Sequence, residues 1–573
     1  MKIRVALLLI LAVLLAACNQ STPTAEPTAT PVPLPADTPS PTPMPAPVIV
    51  GLDGTLASGT AGYPWWNDTV FYEVFVRSFQ DSNGDGVGDL AGLIDKLDYL
   101  NDGDPTTTSD LGVTGIWLMP VAQSPSYHGY DVVDYIQVDD EYGSNEEFKK
   151  LMEEAHRRGI RVIVDLVLNH TSAQHPWFQE ALDPSSPRRD WYVWSDTKPT
   201  GLDAQYWYPS PAGDGTYYYA YFWDQMPDLN YSNPEVTETM LEVVRFWLEE
   251  MGVDGFRLDA AKYLVETEGA RPGTRLIENT AETHQWLRDF HTFYKSINPQ
   301  AMTVGEVWAD TATVASYIGD QFDLAFDFPG ADAMLNSAFT GTARQVAKGQ
   351  TTALTAYPSN QFATFLANHD QTRTRSRLGD DGAARAAATT QLAFAGVPFI
   401  YYGEEIGMQG EKPDENIRRP MQWTADGGFT TGVPWNAYFD DMATRHVAGQ
   451  QEDPTSLLSH YKALIDLRNR HAALRVGDWL LVEGGHRAVY AFLRSTEAES
   501  ILVVVNLDDK PVEEYALALA EGPLKPGASM QVLLGDSAAA APEIQAAGGF
   551  ADYRPLPTLA PYSSLILRFA GEE

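Results

Sequence analysis

Apolar residues in this chain keep two rhythms. From about residue 63 to 475, short and mostly apolar runs at 70–76, 112–120, 162–170, 253–258, 302–308, 322–328, 362–370 and 397–408 have the length of parallel strands covered on both faces. Between several of them the apolar residues recur with a helical period, at 90–100, 145–158, 383–393 and 456–469, so that one helix face can cover the sheet. Strands alternating with helices build a parallel sheet. One stretch breaks the alternation: residues 171–224 are dominated by Trp, Tyr, Pro and Gly, as in Tyr217-Tyr218-Tyr219-Ala220-Tyr221-Phe222-Trp223, and most of these rings are expected to pack a small domain of their own. From about residue 477 short alternating strands take over, at 488–493, 501–505 and 564–569. They predict a C-terminal antiparallel β-sandwich over 477–573, without chemistry of its own.

Four of the apolar runs end in polar residues: Asn169-His170, Arg257-Leu258-Asp259, Glu306 and Asn368-His369-Asp370. Polar residues at the carboxyl ends of parallel strands are where (β/α)8 barrels keep their active sites. Arg257 and Asp259, two residues apart, leave the same face of a strand. A carboxylate beside a permanent cation keeps a low pKa and stays ionised, as a carboxylate nucleophile must. Taken alone the pair reads as a structural ion pair, and it is the recurrence of polar strand tips that points to a site. No His-Glu-x-x-His spacing supports a zinc centre, and no Gly-x-Ser-x-Gly elbow follows a strand.

These four motifs, in this order, resemble the conserved regions of glycoside hydrolase family 13, the α-amylase family, over about residues 63–475. The resemblance implies a (β/α)8 TIM barrel with a domain B inserted after strand 3 (171–224) and a C-terminal antiparallel β-sandwich. It implies Asp259 as nucleophile of a retaining glycosidase, Glu306 as acid/base, and Asp370 as stabiliser of the transition state. Arg257 would orient Asp259; His170, His369, Tyr130 and Arg373 would contact sugar, with His128 assisting. Glu306 lies among Val304, Val307 and Trp308, and apolar surroundings keep such a carboxyl protonated. Met226-Pro227-Asp228-Leu229-Asn230 resembles a motif of members between the oligo-1,6-glucosidases and the neopullulanases. Ala260 stands where α-1,6-specific relatives carry Val, and Tyr127 where exo-acting α-glucosidases carry Asp. Both departures favour an α-amylase cleaving internal α-1,4 bonds of starch, glycogen and maltooligosaccharides. An α-glucosidase, a neopullulanase-like enzyme and a trehalose synthase-like transglycosidase are the alternatives, and a non-catalytic glucan-binding protein a distant one.

A metal also enters the picture. Asp81, Asn83, Asp85, Gly86, the Val87 carbonyl and Asp89 follow the spacing of an EF-hand-like Ca2+ loop, with Gly92 where that loop carries its bidentate Glu. A similar loop binds calcium in several family members. Tyr263 replaces a histidine that helps many α-amylases hold calcium between barrel and domain B, so a second calcium is not expected there.

Charge and the amino terminus narrow the setting. With 39 Lys and Arg against 77 Asp and Glu, a net charge of −38 argues against nucleic acid as a partner, while a neutral α-glucan is unaffected. Met1-Lys2-Ile3-Arg4 followed by an apolar run through Ala17 reads as a signal peptide, 1–17. Leu15-Ala16-Ala17-Cys18 resembles a bacterial lipobox, which implies lipidation of Cys18 and membrane contact through that anchor alone. With one cysteine, disulfides are excluded. Residues 18–48, rich in Pro, Thr, Ala and Ser, form a linker that cannot fold on its own. The expected protein is an extracytoplasmic monomer, lipid-anchored to the cell envelope or secreted.

Overall fold

The computed structural model describes residues 59–201, 203–268 and 275–570; the leader, Cys18 and the linker expected over 1–48 lie outside them. Eight parallel strands form the centre: β1 (Phe71–Val74), β2 (Gly115–Leu118), β3 (Arg161–Leu166), β4 (Gly255–Leu258), β5 (Met302–Gly305), β6 (Leu324–Ala325), β7 (Ala363–Thr364) and β8 (Val397–Tyr401). They pair in the order β6-β5-β4-β3-β2-β1-β8-β7, and a parallel bridge between Phe326 and Ala363 joins the two outer strands. The sheet closes into the (β/α)8 barrel. Its interior is filled by Phe71, Trp117, Ile163, Val304, Phe326 and Phe399, among others, with Phe71 stacked on Phe399 at 4.5 Å, so the barrel is a packed core and not a pore.

The strands are shorter than the apolar runs that announce them. The ladder of β7 stops at Thr364, and Asn368, His369 and Asp370 stand on a turn beyond it, where the Asn368 side chain accepts the Asp370 amide at 3.0 Å. An Asn side chain that bonds two residues on sets a turn in place of a strand. The helix expected over 90–100 is two, Leu90–Asp95 and Leu97–Leu100, because Lys96 leaves the helical region at φ −104°, ψ 0°. Its ammonium lies over the Trp423 ring at 4.5 Å. Helix Asn145–Arg157 starts as its sequence directs: Ser144 accepts the Glu147 amide and donates to its carboxylate, a capping box, and Phe148, Leu151, Met152 and Ala155 face inward.

The excursion after β3 contains a small antiparallel sheet of Trp194–Ser195, Tyr217–Tyr219 and Trp207–Pro209. Its rings pack one another, Trp177 on Trp191 at 5.0 Å and Phe178 on Tyr218 at 5.1 Å.

After the barrel come β9 (Asp478–Val482), β10 (Val489–Ser495), β11 (Glu499–Asn506), β12 (Ser529–Leu534) and β13 (Ser564–Ala570), antiparallel in the order β9-β10-β11-β13-β12. A two-stranded sheet, Leu517–Leu519 with Phe550–Tyr553, completes the sandwich. The alternation expected of these strands does not separate a dry face from a wet one, since β10 and β11 are buried along their whole length. Tyr490, Phe492, Ile501, Val503, Val505 and Ile566 join the core that includes the barrel's helices, while Ala491, Leu493, Leu502, Val504 and Leu567 face the sandwich core.

Candidate active site

At the carboxyl end of the barrel lies a cleft of about 410 Å³, lined by Asp259, Glu306, Asp370, Tyr130, His128 and His170 together with Tyr127, Phe222, Trp223, Lys262, Trp308 and Arg418. Two backbone features bring Asp259 to it. Gly255 opens β4 at φ +155°, where a Cβ would meet the Met302 carbonyl oxygen at 2.0 Å. Ala260 then takes the left-handed conformation, φ 47°, which costs a non-glycine residue about 1–2 kcal/mol and turns the chain off the strand directly after Asp259. Strain of this kind collects at functional sites.

One guanidinium organises the centre. Arg257, buried within β4, donates from Nη1 to Asp165 at 2.8 Å and to Asp259 Oδ1 at 2.9 Å, and from Nη2 to Glu306. Three carboxylates thus surround one cation, and the Asp259 and Glu306 carboxyls are bridged by neighbouring nitrogens of the same group. Tyr130 closes the ring, its hydroxyl donating to Asp165 Oδ2 at 3.0 Å and lying 2.6 Å from His369 Nε2. The histidine is clamped in turn: its Nδ1 lies 2.6 Å from Glu73 Oε1 and its Nε2 3.1 Å from Asp370 Oδ2. Arg418 donates to Asp370 Oδ1 at 2.8 Å and to the His369 carbonyl at 2.9 Å.

These surroundings set the charges. Burial pushes the Asp259 carboxyl up to about 6 although Arg257 pulls it down, and the Asp165 and Asp370 carboxylates add to the rise. The low pKa expected from the Arg257–Asp259 pair is therefore corrected, because one cation shared among three buried acids does not outweigh desolvation. Glu306 is raised as well, by burial first, against Arg257, and then by the charges of Asp259 and Asp370. Asp370 is the opposite case: burial would lift it, but His369 and Arg418 hold it well below the carboxylate range. Burial would lower His369, yet Asp370 and Glu73 raise it to about 9, so this histidine is a cation at neutral pH. His170, lowered to about 3 by burial, is neutral, and its Nε2 is buried without a protein partner. His128 is also lowered, by burial first; its Nδ1 accepts the Tyr130 amide at 3.1 Å.

Arg373 departs from the expected set. It is 2% exposed, donates to the Ile417 and Tyr402 carbonyls at 2.8 and 2.6 Å and stacks on Tyr401 and Tyr402. It braces the backbone behind β8, and the arginine at the cleft is Arg418. Tyr263 lines the cleft and packs on Tyr221 at 4.5 Å. Sequence reasoning gave no role to Glu73 or Asp165, although a signal was present: each is a lone charge inside an apolar run. Arg418 has no such signal, since it lies on a loop that only the fold brings back.

Among the described residues no group of three or more His, Cys, Asp and Glu side chains is arranged to hold a metal. This includes the 81–89 loop, whose three aspartates, one asparagine and backbone carbonyl are all oxygen donors, a chemistry that suits a hard cation such as calcium and not zinc. Asp81 accepts the Gly84 and Gly86 amides at 2.7 and 2.8 Å, Asn83 accepts that of Asp85 at 2.8 Å, and Asp85 that of Val87 at 2.8 Å. Asp89 caps the following helix through Gly92 at 2.6 Å. The loop turns at Gly86, φ +98°, as a loop of this type requires. The oxygen chemistry of the loop is of the kind calcium takes, but both oxygens of Asp81 and of Asp89 accept hydrogen bonds from loop amides and hydroxyls, and the three aspartates are not gathered into a metal-holding group.

Residues 73–477 match the family model of the alpha amylase catalytic domain. The chain belongs to the α-amylase family. This α-amylase family chain is 41% identical to Alpha-amylase 3 of Dictyoglomus thermophilum over 78% of its own length and 86% of that protein. It is 33% identical to the oligo-1,6-glucosidase of Parageobacillus thermoglucosidasius, covering 78% and 91% of the two chains, and 34% identical to trehalose synthase/amylase TreS of Mycobacterium tuberculosis, covering 80% and 84%. The crystal structure of an α-amylase from H. orenii superimposes with a TM-score of 0.75 at 41% identity, over 87% of this chain and 99% of that one. The protein is a glycoside hydrolase or transglycosylase of glycoside hydrolase family 13.

Proposed function

We propose that the protein is an endo-acting α-amylase that cleaves α-1,4 bonds of starch-like glucans with retention. The observation that carries this reading is the pair Asp259 and Glu306 bridged by one buried guanidinium. That arrangement suits carboxyls about 5–5.5 Å apart, the spacing of retaining glycosidases. An Asp259 oxygen bonds the anomeric carbon while the bond to the leaving oxygen breaks, and Glu306 gives its proton to that oxygen. The geometry supplies the reversal too. Once Asp259 is esterified its charge is gone, and with it one of the influences that raise Glu306, so Glu306 becomes the base that takes a proton from water. The water oxygen then bonds the anomeric carbon and frees Asp259. Asp370, ionised between His369 and Arg418, suits hydrogen bonds to sugar hydroxyls as positive charge grows on the ring, and neutral His170 offers its unpartnered Nε2 to a hydroxyl.

The 41% identity to a protein named α-amylase, with Ala260 and Tyr127 at the two positions that bear on linkage, supports α-1,4 endo cleavage. Similarity to proteins named trehalose synthase keeps transfer to a sugar acceptor as the second reading. The same proposal places calcium in the 81–89 loop, held by Asp81, Asn83, Asp85, the Val87 carbonyl and Asp89, where it would tie the start of the barrel together. Product profiles on soluble starch, pullulan and maltose test the function. Rapid loss of starch viscosity with mixed maltooligosaccharides, abolished by Asp259→Asn, is expected. Inert starch with maltose converted to glucose or trehalose would overturn the α-amylase reading.

A further inference from the structure

Glu73 is a carboxylate at a place where the barrel otherwise stores apolar bulk. Along β1, Phe71 and Glu73 leave the strand on the face that fills the barrel, while Tyr72 and Val74 join the core that includes the helices. Glu73 thus stands one layer above Phe71, in register with Trp117 of β2 and Tyr401 of β8, and is 2% exposed. It does not line the cleft, and among the described residues its one ion pair is with His369. A buried carboxylate is costly unless a cation answers it. Its placement therefore bears on what His369 has to be.

Both ring nitrogens of His369 face acceptors. Nδ1 lies 2.6 Å from Glu73 Oε1, and Nε2 lies 3.1 Å from Asp370 Oδ2. Nε2 is also 2.6 Å from the Tyr130 oxygen, whose own proton goes to Asp165. An imidazole that donates at both nitrogens carries both protons and a positive charge. Its neighbours hold the ring in that orientation: Tyr130 stacks on it at 5.6 Å with 17° between planes, and Trp117 meets it edge-on at 5.6 Å. Further off, Asp165 on β3, Asp259 after β4 and Glu306 after β5 feel its charge, with Arg257 and Arg418 as the opposing cations. Only Glu73 meets Nδ1. Without the Glu73 charge, burial, which by itself lowers His369, has one opponent fewer. His369 then gives up a proton near neutrality, and Asp370 loses one of the cations that keep it ionised.

We propose that Glu73 is a positioning residue of the reaction: from beneath the cleft it keeps both nitrogens of His369 donating, and His369 in turn fixes the place and charge of Asp370 against the sugar. Glu73 touches no substrate and acts only through the histidine. This rests on the reading of Asp370 given above.

The test follows His369 itself by NMR titration of the full chain labelled at histidine Cε1, with His369→Gln to identify its signal. In the unaltered protein that signal should stay at its charged position through neutrality and move at about pH 9. Glu73→Gln keeps the size of the side chain and an acceptor for Nδ1 but not the charge. It should bring the midpoint down by about two units, since an opposite charge within about 4–6 Å supports a shift of about 1–3. Activity should follow. On a maltooligosaccharide, kcat should fall little at about pH 5 and about tenfold at about pH 8, one unit above a midpoint of about 7, where only about one histidine in ten keeps its charge. Glu73→Asp, which restores the charge, should recover most of the midpoint and of the profile, and thermal unfolding confirms that each variant is folded. The proposal is overturned if His369 in the unaltered protein titrates within or below the ordinary histidine range, if Glu73→Gln leaves its midpoint in place, or if that variant loses activity by the same factor at every pH. A shifted midpoint together with an Asp370→Asn variant as active as the parent would instead overturn the reading of Asp370 as the group that meets the sugar.

Discussion

Replacing Asp165 by Asn should move one side of the pH–rate profile far more than the other. Asp165 and Asp259 accept from the same Arg257 nitrogen at 2.8 and 2.9 Å, so their oxygens stand no more than about 5.7 Å apart, where two charges repel by about 3 kcal/mol at an effective dielectric of 20. The guanidinium between them screens most of this. A fall of about one pKa unit in Asp259, or about 1.4 kcal/mol, is therefore expected once the Asp165 charge is gone, from about 6 toward 5. Asn keeps the size of the side chain and an oxygen for Arg257 and Tyr130. The acid limb of kcat/KM, which reports the ionised nucleophile in the free enzyme, should shift about one unit to lower pH. The alkaline limb, set by Glu306, should move far less, because the larger influences on Glu306 are burial, Arg257, Asp259 and Asp370 rather than Asp165. The assay is kcat/KM on a maltooligosaccharide across pH, with thermal unfolding to confirm folding. An acid limb that stays put or moves up would refute the account of how three carboxylates share Arg257.

Three further outcomes follow from the same structure. Glu404, buried behind β8, is raised by burial to about 7. Its folded form thus holds a proton more tightly than the unfolded chain, and stability falls as pH rises through the window from about 4.5 to 7; Glu404→Gln should remove about 3 kcal/mol of that slope, read by denaturant unfolding on either side of the window. Phe492→Ala should cost about 3–5 kcal/mol in unfolding free energy by removing a ring that is fully buried in the core shared with the barrel; a loss below 1 kcal/mol would show that the contact is dispensable. The lipobox-like Leu15-Ala16-Ala17-Cys18 is tested by cell fractionation of the intact chain and of Cys18→Ser: the expectation of a lipid anchor requires the first in the membrane fraction and the second in the soluble one, and the same distribution for both would overturn it.

Most of the barrel was legible because its strands are apolar on both faces and its polar residues interrupt them at their ends. Val253 to Asp259 announces both β4 and the tip that reaches the cleft. What escaped was long-range. Glu73 and Asp165 sit in sequence as isolated charges, and only barrel closure shows that one grips His369 and the other Arg257. Arg418 reaches Asp370 from a loop 48 residues on, with no local pattern to mark it. The resemblance implies a sugar contact for Arg373, but the fold takes its guanidinium to the Ile417 and Tyr402 carbonyls. Charge was misjudged at Asp259 for a related reason: a neighbour in sequence was visible, whereas the two other carboxylates competing for the same cation were not.

The order of strands in the C-terminal sheet bears on when the protein becomes complete. β13, the last strand in sequence, lies between β11 and β12, pairing Ile566 with Val503 on one side and Phe569 with Met530 on the other. During synthesis the barrel's eight strands emerge well before it, but the sheet that shields its outer helices has a vacant central place until residues 564–570 arrive. Apolar side chains such as Leu502 and Val504, which share the sandwich core with Leu565 and Leu567, have no finished surface to join until then. The sheet is therefore completed only when β13 arrives, and a nascent chain paused short of it would leave the facing edges of β11 and β12 unpaired and open to self-association.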